Sequence, residues 1–256
     1  MLLAIDIGNT SIKLGIFDKD ELKATWNLAT GIHRTSDEYG VLLLDLLERQ
    51  KFITSKIAGV VVCSVVPPLA STFVGMCQKH LNIQPLVVEA GVKTGIRIRL
   101  DNPREVGPDR VVGAVAAHYL YGKPAIIIDL GTAITFDVVS QEGDYLGGVI
   151  APGISIAIEA LFARTAMLPR IELVRPKQVI GRNTIAAMQS GIIFGYTGLI
   201  EGMVQRIEEE LGENAKVVAT GGYAHLIASE TSAIDIVNSD LVLIGLRLIY
   251  DMNKGE

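Results

Sequence analysis

Two short stretches of this chain carry the same arrangement of chemically useful residues. Asp6-Ile7-Gly8-Asn9-Thr10 follows one apolar run and precedes another, and Asp129-Leu130-Gly131-Thr132 does the same farther along. An aspartate closing a buried strand puts a carboxylate where a bound cation can offset its charge. Glycine in the turn that follows lets the backbone come close to a ligand, while Asn and Thr side chains and the turn's N–H groups can bind phosphate oxygens. A third segment, "NPREVGPDR" from Asn102 to Arg110, has turn signals at Asn102-Pro103 and Gly107-Pro108. Apolar periodicity from Val111 onward predicts a helix, with Asp109 and Arg110 at its N-terminal end, where the dipole favours anions. A carboxylate that can take a hydroxyl proton then stands beside an arginine that can hold an anionic substrate. That pair suits phosphoryl transfer, in which the protein mostly positions groups and neutralises charge.

Each feature alone has a plainer explanation. Asp-x-Gly turns occur in many hairpins, and a helix N-cap followed by a surface charge would account for Asp109 and Arg110. The recurrence favours function: Asp6 and Asp129 stand 123 residues apart, close to half of the 256-residue chain. Two such turns facing each other would hold a triphosphate from both sides. A fourth element, "VVATGGYAHL", runs a strand into Gly221 and Gly222, where an adenosine could lie on bare backbone.

The surrounding elements repeat in the same way. Val- and Ile-rich runs alternate with longer helical segments, which argues an α/β chain. Strands are predicted at Leu2 to Asp6, Ser11 to Asp18, Glu21 to Leu28, Ile57 to Val66 and Gln84 to Val88, with a helix near Thr35 to Lys51 between the third and fourth. The second half opens likewise, at Ala125 to Asp129, Ala133 to Ser140 and Asp144 to Ile150, followed by a helix at Ile154 to Arg164. A later strand covers Lys216 to Thr220, and an apolar helix, "DLVLIGLRLIY", closes the chain. Two tandem copies of one unit are implied, residues 1–117 and 118–256.

Composition narrows the partners. With 23 basic against 28 acidic residues the formal net charge is −5, so there is no electrostatic footprint for nucleic acid or an anionic membrane, and a small molecule is expected. The uncharged stretch Ile57 to Cys77 is broken by Pro67-Pro68, which suits a strand-to-helix corner better than a membrane span. The start "MLLAID" does not read as a signal peptide, and Cys63 and Cys77 form no CxxC pair, so buried thiols in a cytoplasmic protein are expected. His33, His80, His118 and His225 show no HxxH or HExxH spacing, which argues against histidine-bound metal. There is no GxxxxGK[ST] loop and no strand-anchored GxGxxG.

Taken in order, "DIGNT", "RTSDE", "NPREVGPDR", "IDLGTAITFD", "GGVIAPG", "TAMLP", "GRNTIAAMQSGIIFGYTGLIEG" and "ATGGYA" closely resemble the motifs of the type III pantothenate kinases. These belong to the superfamily of acetate kinase, sugar kinases, Hsp70 and actin, and the resemblance covers essentially the whole chain. It implies a duplicated ribonuclease-H-like (actin-like ATPase) fold with two lobes, each a mixed five-stranded sheet flanked by helices. It also implies a homodimer whose active sites involve the subunit interface. ATP, with Mg²⁺ and a monovalent cation (K⁺ or NH₄⁺), would phosphorylate pantothenate to 4′-phosphopantothenate, the first step of coenzyme A synthesis. By the same resemblance Asp6, Gly8, Asn9, Thr10 and Lys13 form the first phosphate site, and Thr132 is the second nucleotide contact. Asp129 would hold the monovalent cation. Gly107, Pro108, Asp109, Arg110 and Thr184 would bind pantothenate, with Asp109 as the general base.

One position departs from the family pattern. Leu100 stands where relatives commonly carry a tyrosine that touches substrate, which implies weaker pantothenate binding or a different small hydroxylated acid as acceptor. A nucleotide-binding accessory or regulatory protein on the same fold is the other alternative. The presence of Asp6, Asp109, Arg110, Asp129 and Thr132 together favours an enzyme.

Overall fold

A computed structural model describes residues 1–255. The first half runs β1 (Leu2–Ile7), β2 (Ser11–Asp18), β3 (Glu21–Ala29), α1 (Ser36–Arg49), β4 (Gly59–Ser64), α2 (Pro67–Met76), β5 (Leu86–Val87), β6 (Arg97–Ile98) and α3 (Pro108–Tyr121). The second runs β7 (Ala125–Leu130), β8 (Ala133–Val139), β9 (Asp144–Pro152), α4 (Ile154–Arg164), α5 (Thr184–Leu211), β10 (Lys216–Thr220), α6 (Ala224–Ala228), β11 (Ile236–Val237) and α7 (Leu241–Asn253). Pro67 and Pro68 occupy the first turn of α2 rather than the corner before it. Proline suits that place because its missing N–H would lack an intrahelical partner there anyway.

The chain forms two compact units. The first holds residues 1–97, 101–116 and the chain from Asp240 onward; the second holds Ile98–Leu100 and Ala117–Ser239. The closing helix α7 thus belongs by its contacts with the first unit, a return that a division at 117/118 does not include. It packs on β1, β2 and β4, where Gly15 and Gly59 leave room for Leu243 and Tyr250.

In the first unit the sheet order is β3-β2-β1-β4-β5, with β1 antiparallel to β2 and parallel to β4. Alternate residues of β1 and β2 (Leu3, Ile5, Ile7, Ile12, Leu14, Ile16) form a core with Tyr39 and Leu43 of α1 and Leu69 and Phe73 of α2. The opposite face carries Asp6, Lys13 and Cys63, because Asp6 registers against Lys13 on β2 and Cys63 on β4. Period-two alternation therefore puts these three side chains on the face that α7 covers.

The second unit repeats the order as β11-β10-β7-β8-β9, then adds β6 beyond β9. The expectation of five strands per sheet is therefore one short here, because β6 is supplied by a segment that precedes the repeat. The correspondence reaches fine detail. Each unit's second and third strands slip register once, at Ile16/Phe17 and at Val138/Val139. The second turn is one residue shorter than the first: Leu130 pairs with Ile134, whereas Ile7 pairs with Ile12. Ile126, Ile128, Leu130, Ile134 and Phe136 bury their face under α4, α5 and α6.

Candidate active site

In the first unit, β1 ends in the turn Gly8 to Ser11. The Gly8 N–H donates to the Ser11 carbonyl at 3.0 Å and the Thr30 hydroxyl donates to the Gly8 carbonyl at 2.7 Å, so the turn is held from β2 and β3. Asn9 and Thr10 are exposed at its tip, while Asp6 and Lys13 are half-buried behind it. The Lys13 ammonium lies 2.9 Å from Asp240, which occupies the N-cap position of α7 but makes no capping bond with its side chain.

Asp109 sits in the first turn of α3, and its Oδ1 accepts the Arg110 N–H at 2.9 Å. A Cβ on Gly107 would lie 2.6 Å from that oxygen, so glycine is what lets the carboxylate fold back over the turn. Cys63 registers against Asp6 on the neighbouring strand. Burial pushes its thiol well up, and the charges of Asp6 and Asp109 push it further. Asp6 and Cys63 thus stand side by side at the carboxyl ends of β1 and β4. Ligands of open α/β sheets bind at such strand ends.

The second unit builds its turn the same way. Asp129 closes β7, half-buried like Asp6, and the Gly131 N–H donates to the Ala133 carbonyl at 3.1 Å. Two glycines press on it. Gly153 lies so close beneath Thr132 that a Cβ would collide with the Thr132 carbonyl, and a Cβ on Gly221, at φ +92°, would collide with Asp129 Oδ1. Gly221 thus serves packing around Asp129, and the open backbone belongs to Gly222, where an added Cβ would meet nothing within 4 Å.

Thr184 begins α5, whose N-cap Asn183 accepts the Ala186 N–H at 2.8 Å. It lines a cavity of about 660 Å³ in the second unit with Arg182, Asn183, Leu161, Leu168 and Met188. The first unit thus holds Asp6 and Lys13 side by side on its sheet and Gly107, Asp109 and Arg110 at the start of α3, and the second holds Asp129 and Thr132 in one place and Thr184 in another. Sequence reasoning missed Asp240 and Gly153, and it read Cys63 only as a buried thiol. Cys63 ends its strand as Asp6 does, so the parallel register was the signal that could have found it. His118, half-buried against Gly143 and Tyr119, has its pKa lowered by burial.

A duplicated strand order, an aspartate and a glycine turn closing the first strand of each copy, and a helix-borne Asp-Arg pair define the class of actin-like and sugar-kinase folds. Solved structures agree. A protein described as a Baf family transcriptional activator from Campylobacter jejuni superposes with TM-score 0.61 at 19% identity, covering 98% of each chain. A polyphosphate/ATP-glucomannokinase from Arthrobacter sp. strain KM gives 0.52 at 15%, covering 98% of this chain and 99% of its own. Within that class, the family model described as type III pantothenate kinase matches residues 2–206. A type III pantothenate kinase of Moorella thermoacetica is 54% identical over 253 residues, covering 99% of this chain and all of its own. The chain belongs to the type III pantothenate kinase family.

Proposed function

We propose that this protein transfers the γ-phosphoryl group of ATP to pantothenate, giving 4′-phosphopantothenate, the entry step of coenzyme A synthesis. Beyond family membership, the observation that carries the reading is the Asp109 carboxylate at the start of α3, held over Gly107 by the Arg110 N–H at 2.9 Å. It offers a carboxylate able to receive a proton beside an arginine able to hold an anionic substrate.

Asp109 is the general base. Its carboxylate, fixed over Gly107 by the Arg110 N–H, takes the proton of the pantothenate hydroxyl as that oxygen attacks the γ-phosphorus. Arg110 holds the pantothenate carboxylate, with Gly107, Pro108 and Thr184 shaping the remaining contacts. Asn9, Thr10 and the Gly8 backbone bind ATP phosphates at the first turn and Thr132 at the second. Lys13 adds positive charge beside them. Most of the catalysis is then positioning and charge neutralisation.

Among the described residues no group of three or more His, Cys, Asp or Glu side chains is gathered as a metal site. The first turn offers a single carboxylate, Asp6. That donor fits Mg²⁺, which keeps several waters and binds through one or two carboxylates plus phosphates. Mg²⁺ there would neutralise charge developing on the transferred group. Asp129 is assigned to a monovalent cation, K⁺ or NH₄⁺. A homodimer is supported by the exposed apolar side chains Ile156, Phe162, Met167, Val179, Ile180 and Ile185 along α4, the loop after it and the start of α5. A cytoplasmic location accords with the reaction, and no helix among the described residues is long and apolar enough to cross a membrane.

The test is ADP release from Mg-ATP in K⁺ buffer, with and without pantothenate, with mass spectrometry of the product. Phosphopantothenate is expected, with a much lower rate in Na⁺ alone. ATP binding without pantothenate-dependent turnover would overturn the assignment, and equal rates in Na⁺ would remove the role given to Asp129.

A further inference from the structure

The residue that follows the third strand touches the Asp-x-Gly turn in both units, but by different means. Ser11 pairs with Ala29 and Ala133 with Pro152, so Thr30 and Gly153 hold matching places, one step beyond the paired strands. In the second unit the contact is backbone on backbone, since Gly153 leaves no room for a Cβ beneath Thr132. In the first unit, whose turn is one residue longer, a side chain makes it. The half-buried Thr30 donates its hydroxyl to the Gly8 carbonyl at 2.7 Å and its N–H to the Thr10 carbonyl at 3.1 Å.

Thr30 is itself held from the core. The Tyr39 hydroxyl of α1 accepts the Gly31 N–H at 3.0 Å and donates to the Gly31 carbonyl at 3.1 Å, and that carbonyl also accepts the Arg34 N–H at 3.0 Å. The Tyr39 ring is 1% exposed and packs on Phe73 with centroids 4.6 Å apart. The peptide unit between Gly8 and Asn9 is trans, and such a unit is planar, so a carbonyl fixed toward Thr30 turns the Asn9 N–H the opposite way. An N–H held in one direction at a tight turn is what an anionic oxygen needs.

We propose that Thr30 is a positioning residue for ATP, its hydroxyl setting the Gly8 to Thr10 turn so that the turn's donors meet the phosphates. This deepens the reading of that turn as the first phosphate site and rests on it. Thr30 acts through Gly8 rather than on the nucleotide, and the dependence on one hydroxyl is peculiar to the first turn, because the second has glycine at the matching place.

The test is steady-state kinetics on the full-length chain, with Mg-ATP affinity from titration calorimetry and thermal midpoints measured in parallel. Thr30→Val keeps the branched shape and removes the hydroxyl. It should weaken Mg-ATP binding by about 3- to 10-fold, the worth of one hydrogen bond, and lower kcat/KM for ATP by on the order of 10- to 100-fold as the transferred group is misplaced. The KM for pantothenate at saturating ATP should stay within about twofold of wild type. Thr30→Ser, which restores the donor without the methyl, should recover most of the loss. Wild-type ATP affinity and kcat in Thr30→Val would overturn the proposal. So would a Thr30→Ser as impaired as Thr30→Val, which would point to the methyl, or losses of pantothenate binding and thermal midpoint in step with the loss of ATP. Asn9→Ala with Thr10→Ala separates the two readings. If it leaves ATP affinity unchanged, the phosphate role of the turn fails, and the Thr30 role with it; if it weakens ATP and Thr30→Val does not, only the positioning role fails.

Discussion

Asp109 owes its position to its neighbours on both sides. The Arg110 N–H takes one carboxylate oxygen at 2.9 Å, and the missing side chain at Gly107 leaves that oxygen space. Asp109→Asn keeps the shape but removes the basic oxygen. It should lower kcat by about 10² to 10⁴-fold while ATP affinity, measured by calorimetry, is nearly unchanged; normal turnover would exclude Asp109 as the base. Gly107→Ala probes the same carboxylate from behind. The added methyl must push Asp109 aside, so kcat should fall while the thermal midpoint stays close to wild type. The residue types at 107 to 110 were legible as a site because turn, charge and helix start fall within four consecutive positions. The carboxylate's orientation was not, since it depends on space that a Cβ at 107, which would lie 2.6 Å from Oδ1, would take up.

Among the elements, α1 shows how a local signal becomes structure. Thr35 caps it, accepting the Glu38 N–H at 3.3 Å, while Glu38 Oε2 accepts the Thr35 N–H at 2.7 Å. Such a reciprocal box is legible in sequence because both partners lie three residues apart. Thr35→Ala should cost about 1 kcal/mol in urea denaturation. The bonds from Thr35 hold the Glu38 carboxyl below its usual range. A depressed acid stabilises the fold above its unfolded-state value, and that contribution is lost as pH falls through the lower folded-state value. The difference between wild type and Thr35→Ala should therefore shrink on acidification. A constant difference across the acid range would show that Glu38 takes no part. The short strands β6 and β11 escaped sequence reasoning for the opposite reason. Two residues each carry no periodicity, and they become strands only where a sheet edge is already waiting for them.

For the molecule as a whole, the interior makes a simple chemical claim. Cys63 and Cys77 are free and buried; burial pushes the Cys77 thiol up to about 12, and burial, with the charges of Asp6 and Asp109 added, also pushes the Cys63 thiol well up. The thiolate is the reactive form, so iodoacetamide in mildly alkaline buffer should leave the native protein unlabelled and modify both cysteines once denaturant is added. Rapid labelling of the native protein would contradict the packing around β4 and α2. By itself, the sequence determined the duplicated α/β order, the two Asp-x-Gly turns and the Asp-Arg pair at a helix start, because each is written in a few adjacent residues whose backbone preferences and side-chain chemistry act locally. Only the tertiary structure decided that α7 returns to the first sheet and that Asp240 meets Lys13. It likewise decided that Cys63 lies beside Asp6, and that Arg99 pairs with Asp144. Those are pairings between distant residues, settled by strand register and the packing of helices on a sheet face.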